Sequence, residues 1–374
     1  MDKKIVFFNN NFSGMVCFRL EVIQRFLDKG YAVSIIAPDG GEKGEIINKL
    51  PKGVKCIPIK MNRTSTNPLK DLVLFCQILR VLKDELPVYL FNYTIKPNVY
   101  GALAASILRI RCTDMIAGLG YTFTNNSLSS RIARTLYRVA GQCAENIVVL
   151  NQSNFDTVLS KGICKKDKLH LFTGGEGVDL NRYPFYPNVS DKTRFVFVGR
   201  LIEEKGYYEF VEAASKILKE RNYVEFHVVG GFDNDYPRRV TKEQVKKDVQ
   251  EKGIIYDGNI ADMSKIYSQK GVVMVIPSYY SEGLNRSLME GCSSGKPIIT
   301  TNWPGCRETV REGENGYLVE PKNVESLVSA IEKYLDLSAD EKEKFSLASR
   351  RLAEREFNVE SVVSYYESLA DACF

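Results

Sequence analysis

The chain has 374 residues, of which 44% are hydrophobic and 26% are charged, a composition typical of folded globular proteins rather than disordered or membrane-spanning chains. This length suits two domains of similar size. No segment approaches the roughly 18 apolar residues that are needed to cross a bilayer, and the first residues lack the pattern of a secretory signal. We therefore expect a cytoplasmic protein that is dissolved or bound peripherally to the inner face of the cytoplasmic membrane.

The cysteine and histidine content argues against a metal centre. Nine cysteines occur singly, without a Cys-x-x-Cys pair, which favours reduced thiols in a cytoplasm. Only two histidines are present, so there is little material for a His-rich metal site or a His-based proton relay. We expect neither a metal ion nor another cofactor.

The charge is distributed unevenly along the chain. Residues 1–185 carry a formal charge of +10 and the remaining residues carry −5, although the whole chain has only +5. A basic half suggests an anionic partner, and nucleic acid, an anionic membrane surface and a phosphorylated acceptor all fit this charge. Because no recognisable nucleic-acid module accompanies the basic residues, we do not expect nucleic-acid binding.

Strand-like and helix-like segments alternate along the whole chain. Several of the strand candidates are apolar throughout, which is typical of parallel strands that are covered by helices on both faces. The pattern predicts an α/β fold of two doubly wound, Rossmann-like domains that face each other across a cleft. The predicted strands are Lys4–Phe8, Ala32–Ala37, Val54–Ile59, Val88–Phe91, Thr113–Ala117, Asn146–Leu150, Arg194–Gly199, Tyr223–Val229, Ile254–Tyr256, Val272–Ile276, Pro297–Thr300 and Tyr317–Val319.

The predicted domain boundary lies near Tyr183–Asn188, where two prolines interrupt the pattern and the charge balance changes sign. The segment Arg194–Gly199 then begins a second series of strands and helices. We therefore assign residues 1–186 to the first domain and 187–358 to the second. Ligands of such sheets bind at the carboxyl ends of the strands.

The most informative cluster, Pro277–Glu290, directly follows the apolar strand Val272–Ile276. Gly283 frees the backbone before a helix whose first amides can hold an anion. Glu282 and Glu290 are eight residues apart, and a helical rise over that span would separate them by roughly 12 Å. One carboxylate could then bind a sugar and the other a ribose. Two glutamates at this spacing also occur often by chance, so the prediction depends on the preceding strand and on Gly283 rather than on the spacing.

A second cluster, Gly199–Gly206, also follows an apolar strand. Arg200 can bind phosphate oxygens through its planar fork, and Lys205 adds a second positive charge. Together they could stabilise a departing nucleoside diphosphate, as a divalent cation does in metal-dependent enzymes. The alternative is a solvated basic turn that is paired with Glu203 or Glu204.

Two further loops follow strands in the first half. The segment Asn9–Met15, which contains Gly14, precedes a helix that we expect to begin near Val16, and it resembles a loop that approaches a phosphate. The segment Gly118-Leu119-Gly120 is a comparable loop that could face an acceptor. In both segments the glycines could equally serve only a tight turn.

Three other polar features have simpler interpretations. Asp233-Asn234-Asp235 has the Asp-x-Asp spacing that some sugar transferases use for a metal ion, but no third ligand candidate lies nearby. We therefore interpret it as a solvated loop. His227 and His170 lie in apolar segments, where a hydrogen-bonded structural histidine is more common than a catalytic base.

These clusters together resemble the retaining glycosyltransferases with the two-domain B-type fold, often called family 4. The resemblance covers nearly the whole chain and is most specific in the second half. The segments that carry it there are Gly199–Gly206, Pro277–Glu290, Gly295–Ile299, Pro304–Val310 and Asn315–Val319.

The resemblance implies roles for particular residues. Arg200 and Lys205 would hold the diphosphate, and Glu290 would hold the ribose. Glu282, together with the backbone of Gly283, Leu284 and Asn285, would hold the donor sugar. The final helix, around Val359–Ala370, would cross back to the first domain.

The first half is similar to a narrower branch that builds capsular and lipid-linked oligosaccharides in bacteria. The segments that carry this similarity are Arg63–Pro68, Tyr93–Gly101, Gly118–Gly120 and Gly175–Asp179. Members of that branch take UDP-N-acetylhexosamines or related donors and extend sugars linked to undecaprenyl diphosphate.

The resemblance also implies which residues lie on the acceptor side of the site. These are Arg63, Lys96, Gly118 and Gly120. The helical face with Arg131, Arg134 and Arg138 could meet anionic lipid headgroups or could simply be solvated. Ile95 stands where many members carry a histidine that touches the donor sugar.

The expected function is therefore retaining, metal-independent transfer of a sugar from a UDP-sugar to a glycan acceptor. A nucleotide-sugar epimerase with the same fold would also explain the clusters, and it would convert a donor without any acceptor. A non-catalytic protein that binds a nucleotide sugar would bind the donor without turnover.

Overall fold

The computed structural model describes residues 3–38, 46–62, 67–118, 128–221, 223–234 and 236–372. The chain forms two compact units, one of Met1–Gly177 with Val359–Phe374 and the other of Val178–Asn358. The first boundary thus comes slightly before the predicted one after residue 186. Val178 already belongs to the second unit, because its N–H donates a 2.7 Å hydrogen bond to the carbonyl oxygen of Phe357.

The first unit contains a parallel sheet that is covered on both faces by helices. In the described residues the strand order is β3-β2-β1-β4-β5-β6-β7. The strands are β1 (Lys4–Phe8), β2 (Ala32–Pro38), β3 (Lys55–Ile59), β4 (Tyr89–Tyr93), β5 (Arg111–Ile116), β6 (Asn146–Val149) and β7 (Leu169–Leu171). The helices are α1 (Phe12–Phe18), α2 (Leu20–Asp28), α3 (Pro68–Glu85), α4 (Ala102–Leu108), α5 (Leu128–Cys143) and α6 (Gln152–Ser160).

The second unit repeats this architecture with the strand order β10-β9-β8-β11-β12-β13 among its described residues. Its strands are β8 (Thr193–Val198), β9 (Val224–Val229), β10 (Ile255–Gly258), β11 (Val272–Ile276), β12 (Ile298–Thr301) and β13 (Gly316–Val319). Its helices are α7 (Tyr207–Ile217), α8 (Lys242–Lys252), α9 (Ser264–Tyr267), α10 (Arg286–Ser293), α11 (Val324–Leu335) and α12 (Ala339–Leu352). The last helix of the chain, α13 (Val359–Asp371), belongs to the first unit.

Burial on both faces explains why the strands are apolar throughout. In β1, Val6 and Phe8 face a core with α3, α4 and α5, whereas Ile5 and Phe7 face a second core with α2 and α13. A strand between two helical layers has no solvent-facing side, so it loses the apolar–polar alternation of a half-exposed strand. The predicted α/β class with two Rossmann-like domains is confirmed.

Two local expectations were wrong. Helix α1 begins at Phe12 rather than near Val16, because the side chain of Asn11 caps it by accepting a hydrogen bond from the N–H of Gly14. The three-residue strand β7 was not among the predicted strands, since it is too short to show a periodic pattern.

None of the helices in the described ranges combines the length and hydropathy that a bilayer-crossing segment requires.

A buried arginine fixes the end of the first unit. Arg19 is almost fully buried and donates a 2.7 Å hydrogen bond to Glu176, which directly precedes the boundary. Its guanidinium also lies 4.5 Å from the ring centre of Tyr93 and 5.8 Å from that of Tyr366 in α13. The same cation therefore holds the chain at the exit from the unit and the helix that returns to it.

A buried lysine connects three segments of the second unit. Lys296 has no exposed surface, and its ammonium donates hydrogen bonds of 2.8 Å to Oδ1 of Asn188 and 3.1 Å to the carbonyl oxygen of Gln269. Both partners are neutral, so burial lowers the pKa of Lys296 to about 7. In an unfolded chain a lysine titrates near about 10.4.

Substitution of Lys296→Met should change the pH dependence of stability. Between about pH 7.5 and about pH 9.5 the unfolded lysine holds a proton that the folded one has largely lost, so wild-type stability gains from rising pH. The variant lacks this gain, so its free energy of unfolding should fall by about 2.5 kcal/mol relative to that of wild type across the interval. Urea unfolding at the two pH values measures the difference. A difference that does not change with pH would contradict the buried neutral lysine.

Candidate active site

The two predicted clusters lie next to each other at the carboxyl ends of β8 and β11. After β8, a turn at Glu203–Lys205 leads through Gly206 into α7. Gly206 has φ +82°, and a Cβ there would lie 2.3 Å from the carbonyl oxygen of Pro277, so only glycine fits this approach. The N–H of Tyr279 also donates a 2.8 Å hydrogen bond to the carbonyl oxygen of Glu204. The two loops therefore form one surface.

An ion pair between Lys205 and Glu282 joins these loops. The ammonium of Lys205 lies 2.9 Å and 2.7 Å from the two carboxylate oxygens of Glu282, and only 11% and 18% of the two side chains are exposed. Nδ2 of Asn285 donates a 3.0 Å hydrogen bond to the same carboxylate, and the ring centre of Tyr280 lies 5.4 Å from the ammonium. The structure thus brings together two side chains that the sequence placed in separate clusters.

Asn285 also begins the helix that follows. Its Oδ1 accepts a 3.2 Å hydrogen bond from the N–H of Leu288, which makes it the N-cap of α10. Glu282 therefore lies in a turn before the helix, with Gly283 between it and the cap. The separation of roughly 12 Å between Glu282 and Glu290 assumed a helical rise over all eight residues. That assumption was wrong, because the helix begins only at Arg286.

Glu290 is held in a buried position in α10. One carboxylate oxygen accepts a 2.9 Å hydrogen bond from Nε of Arg286, and the other accepts a 3.4 Å bond from the hydroxyl of Tyr267. Burial raises the pKa of Tyr267 well above its usual value, so this phenol keeps its proton and donates it to the bond. Glu290 is only 7% exposed, and its charge is compensated by Arg286.

Arg200 extends from the end of β8 into the same region. Its guanidinium donates a 2.8 Å hydrogen bond to Asp233 and lies 5.2 Å from the ring centre of Tyr280 and 5.8 Å from that of Tyr236. Asp233, which we interpreted as part of a solvated loop, is partly exposed and forms an ion pair with Arg200. Asp235 lies outside the described residues.

A cavity of about 570 Å³ opens beside Arg200 at the carboxyl ends of β8, β9 and β10. It is lined by Val198, Gly199, Arg200, Val229, Gly230, Gly231, Phe232, Asp233, Asn234, Asn259, Ile260 and Met263. A Cβ at Gly230 would lie 1.8 Å from the carbonyl oxygen of Gly199, so the two strand ends can approach only without that side chain. Gly230 and Gly231 were not among the predicted site residues, although a glycine pair directly after a buried strand is a usable signal.

The described residues contain no group of three or more His, Cys, Asp or Glu side chains that could hold a metal ion. The two histidines make structural hydrogen bonds. Nδ1 of His227 lies 2.9 Å from Asp257, and Nε2 of His170 lies 2.9 Å from Oδ1 of Asn146. His227 is partly exposed rather than a core residue.

The predicted residues of the first half lie in the first unit. The N–H of Gly14 is bound by Asn11, and a Cβ at Gly14 would lie 2.5 Å from Nδ2 of Asn9, so this glycine serves local packing. Gly118 follows β5, and Lys96 donates a 2.6 Å hydrogen bond to Asp71. Arg63 and Gly120 lie outside the described residues.

Lys96 lines a cavity of about 580 Å³ in the first unit, at the carboxyl ends of β2 and β3. The other lining residues are Pro38, Ile59, Lys60, Met61, Asn62, Leu69, Lys70, Asp71, Val73 and Leu74. Its position at the strand ends is where open parallel sheets bind ligands.

Comparisons with known proteins agree with this fold. Residues 184–352 match the family described as glycosyl transferases group 1, and residues 4–152 match glycosyl transferase 4-like proteins. An N,N'-diacetylbacillosaminyl-diphospho-undecaprenol alpha-1,3-N-acetylgalactosaminyltransferase of Campylobacter jejuni is 26% identical over 92% of both chains. A UDP-Gal:alpha-D-GlcNAc-diphosphoundecaprenol alpha-1,3-galactosyltransferase of Escherichia coli is 23% identical over 87% of this chain and 85% of its own.

The fold also has solved counterparts. The crystal structure of Anabaena HepE in complex with UDP and glucose superimposes with a TM-score of 0.77 over 99% of this chain and 100% of that chain, at 17% identity. Two Rossmann-like units, each built on a parallel sheet, are the architecture of the two-domain GT-B fold. The second unit matches the group 1 glycosyltransferases and the first unit matches glycosyl transferase 4-like proteins, and these matches identify the chain as a glycosyltransferase.

Substitution of Asn285→Ala tests how the cap supports the site. It removes the N-cap of α10 and should lower stability by about 1 kcal/mol. It also removes a hydrogen bond from Glu282, so the glycosyltransferase turnover should fall about tenfold. Thermal unfolding and turnover with a donor sugar measure the two effects.

The matched control is Asn323→Ala, because Asn323 caps α11 through a 3.0 Å hydrogen bond from the N–H of Ser326. This variant should lose similar stability and keep its turnover. Equal losses of turnover in both variants would show that Asn285 acts only through helix stability.

Proposed function

We propose that the protein is a retaining, metal-independent glycosyltransferase that moves a sugar, an N-acetylhexosamine or a related hexose, from a UDP-sugar to a glycan linked to polyprenyl diphosphate. The observation that carries this proposal is the cluster of Lys205, Glu282 and Asn285 at the strand ends of the second unit, next to Arg200 and its cavity.

In this proposal Arg200 and Lys205 bind the diphosphate of the donor. Arg200 is half-exposed at the rim of the cavity, and its planar fork suits phosphate oxygens. Lys205 is mostly buried and held in one orientation by Glu282. Cations that are already ordered need no reorganisation when negative charge develops on the leaving nucleotide. This is the role for which other transferases use a divalent ion.

In this proposal Glu290 and Glu282 accept hydrogen bonds from hydroxyl groups of the donor. A carboxylate offers about four acceptor positions, and the contacts of Glu290 with Arg286 and Tyr267 occupy only part of them. The remaining positions suit the ribose hydroxyls of the nucleotide. We assign Glu282, whose carboxylate is oriented by Lys205 and Asn285, to the hydroxyls of the donor sugar.

The names of the relatives support a lipid-linked acceptor. Both undecaprenol-specific relatives match nearly the whole length of this chain, including its basic first half. The names of both relatives state alpha linkages, which is the outcome of retention when the donor is an alpha-linked UDP-sugar. Lys96 and the cavity that it lines in the first unit are the described candidates for contact with the acceptor.

For the chemical step we propose attack from the same face as the departing nucleotide. The bond between the anomeric carbon and the phosphate oxygen breaks, and the bond to the acceptor oxygen forms on that face. The acceptor proton passes to the leaving phosphate oxygen. Arg200 and Lys205 stabilise the negative charge on that oxygen until the proton arrives.

Substitution of Lys205→Ala should lower turnover by about 10²–10³-fold, because it removes a fixed cation from the developing charge. The measurement is transfer of labelled sugar from a UDP-sugar to a polyprenyl-diphosphate-linked sugar, followed by organic extraction. Lys216→Ala is the control, since Lys216 is an exposed lysine of α7 that pairs with Glu325. Wild-type turnover in the Lys205 variant would remove the diphosphate role.

Donor and metal requirements are tested together on the wild-type protein. UDP and the matching UDP-sugar at about 100 times their dissociation constants should stabilise it by roughly 2.7 kcal/mol, whereas GDP-sugars should stabilise it less. Turnover should be unchanged in EDTA. Loss of turnover in EDTA with recovery on addition of Mg²⁺ or Mn²⁺ would overturn the metal-independent mechanism.

A further inference from the structure

Three helices form a layer on one face of the first unit's sheet. Helices α3, α4 and α5 lie side by side, with α4 in the middle. Their inner sides bury Leu74, Ile78 and Leu82 of α3, together with alanines of α4 and α5, against the strands. The opposite side of this layer points away from the core.

The outward side of α3 is apolar over its first two turns. Leu69, Leu72 and Val73 are 75%, 58% and 67% exposed, and Cys76 is also exposed. The spacing of three and four residues places these side chains on one face of the helix. The helix therefore has a second apolar stripe opposite its buried one, and an exposed apolar patch of this kind usually marks an interaction surface.

The other two helices continue this surface. Ile107 in α4 is 63% exposed, and Ile132 and Val139 in α5 are 55% and 51% exposed. We call the exposed side of α3, α4 and α5 the outer helical surface. Its exposed apolar residues are Leu69, Leu72, Val73, Cys76, Ile107, Ile132 and Val139.

The same surface is strongly basic. The exposed cations on the described helices and at the end of α4 are Lys70, Arg80, Lys83, Arg109, Arg131 and Arg138. Within those described residues Asp84 is the exposed acid, since Asp71 is paired with Lys96 and Glu85 is buried. Aliphatic side chains are thus interleaved with positive charges, with little acidic charge to balance them.

We propose that the outer helical surface docks the protein onto an anionic lipid bilayer. The aliphatic side chains enter the boundary between headgroups and acyl chains, and the lysines and arginines contact the lipid phosphates. This combination favours a bilayer over a protein partner, because the centre of a protein interface is usually depleted of charge. It also favours a bilayer over a nucleic acid, because single strands are bound through aromatic stacking and these helices expose aliphatic residues.

This inference goes beyond the proposed reaction, because the docking needs neither donor nor acceptor. The full chain without substrate should float with vesicles that contain phosphatidylglycerol and not with pure phosphatidylcholine vesicles. Added salt should weaken the binding, since the headgroup attraction is screened. Equal flotation with both vesicle types, or none at low salt, would overturn the proposal.

Two sets of substitutions separate the apolar and the electrostatic contributions. Leu72→Gln/Ile107→Gln/Val139→Gln should lower vesicle affinity by about tenfold or more, because it removes insertion of aliphatic groups. Arg80→Glu/Lys83→Glu/Arg131→Glu should lower it by about fivefold or more per charge. None of these residues lines either cavity.

The second unit offers matched controls. Tyr223→Gln/Val249→Gln/Ile255→Gln changes three exposed apolar residues, and Lys246→Glu/Lys247→Glu/Lys333→Glu reverses three exposed charges. Both should float like wild type, and equal losses in the controls would contradict the assigned surface. Lys205→Ala should float normally while its turnover is about 10²–10³-fold lower, so failure of docking and failure of the proposed reaction remain distinguishable. The surface variants should keep turnover on a short-chain, water-soluble acceptor and lose it on a vesicle-embedded one.

Discussion

The ion pair between Lys205 and Glu282 is the constraint on which the candidate site depends. Its two members follow different strands of one parallel sheet, and both are largely removed from water. A buried charge that loses its partner is strongly destabilising, so the two loops must remain together. The close approach at Gly206 and the cap at Asn285 allow this arrangement. The pair is therefore both an element of stability and an ordered source of charge.

The sheet topology explains why the polar groups gather at one edge. All paired strands of the second unit run parallel, so the loops after β8, β9, β10 and β11 emerge on the same side. Glycine at the ends of β8 and β9 lets the backbones approach and leaves a cavity instead of packed side chains. The chemistry of the site thus comes from short loops on a rigid scaffold.

The two units differ in what they present to solvent. The candidate site of the second unit consists of paired charges, since Arg200, Lys205 and Arg286 each have a carboxylate partner within hydrogen-bond distance. The first unit carries the excess positive charge, and much of it lies on the layer formed by α3, α4 and α5. The division that we propose, with a second unit that binds the nucleotide and a first unit that meets an anionic, lipid-linked partner, would account for both distributions.

The sequence by itself determined the fold class, most of the strands, and the position of the two clusters after β8 and β11. These features depend on local patterns, because strand burial and glycine placement leave a signal within a few residues. Only the tertiary structure decided which side chains meet. Asp233 pairs with Arg200, and Glu282 with Lys205, through contacts between residues far apart in sequence. Likewise, only the tertiary structure shows that the apolar residues at the start of α3 are exposed, because burial depends on the neighbouring elements and not on periodicity alone.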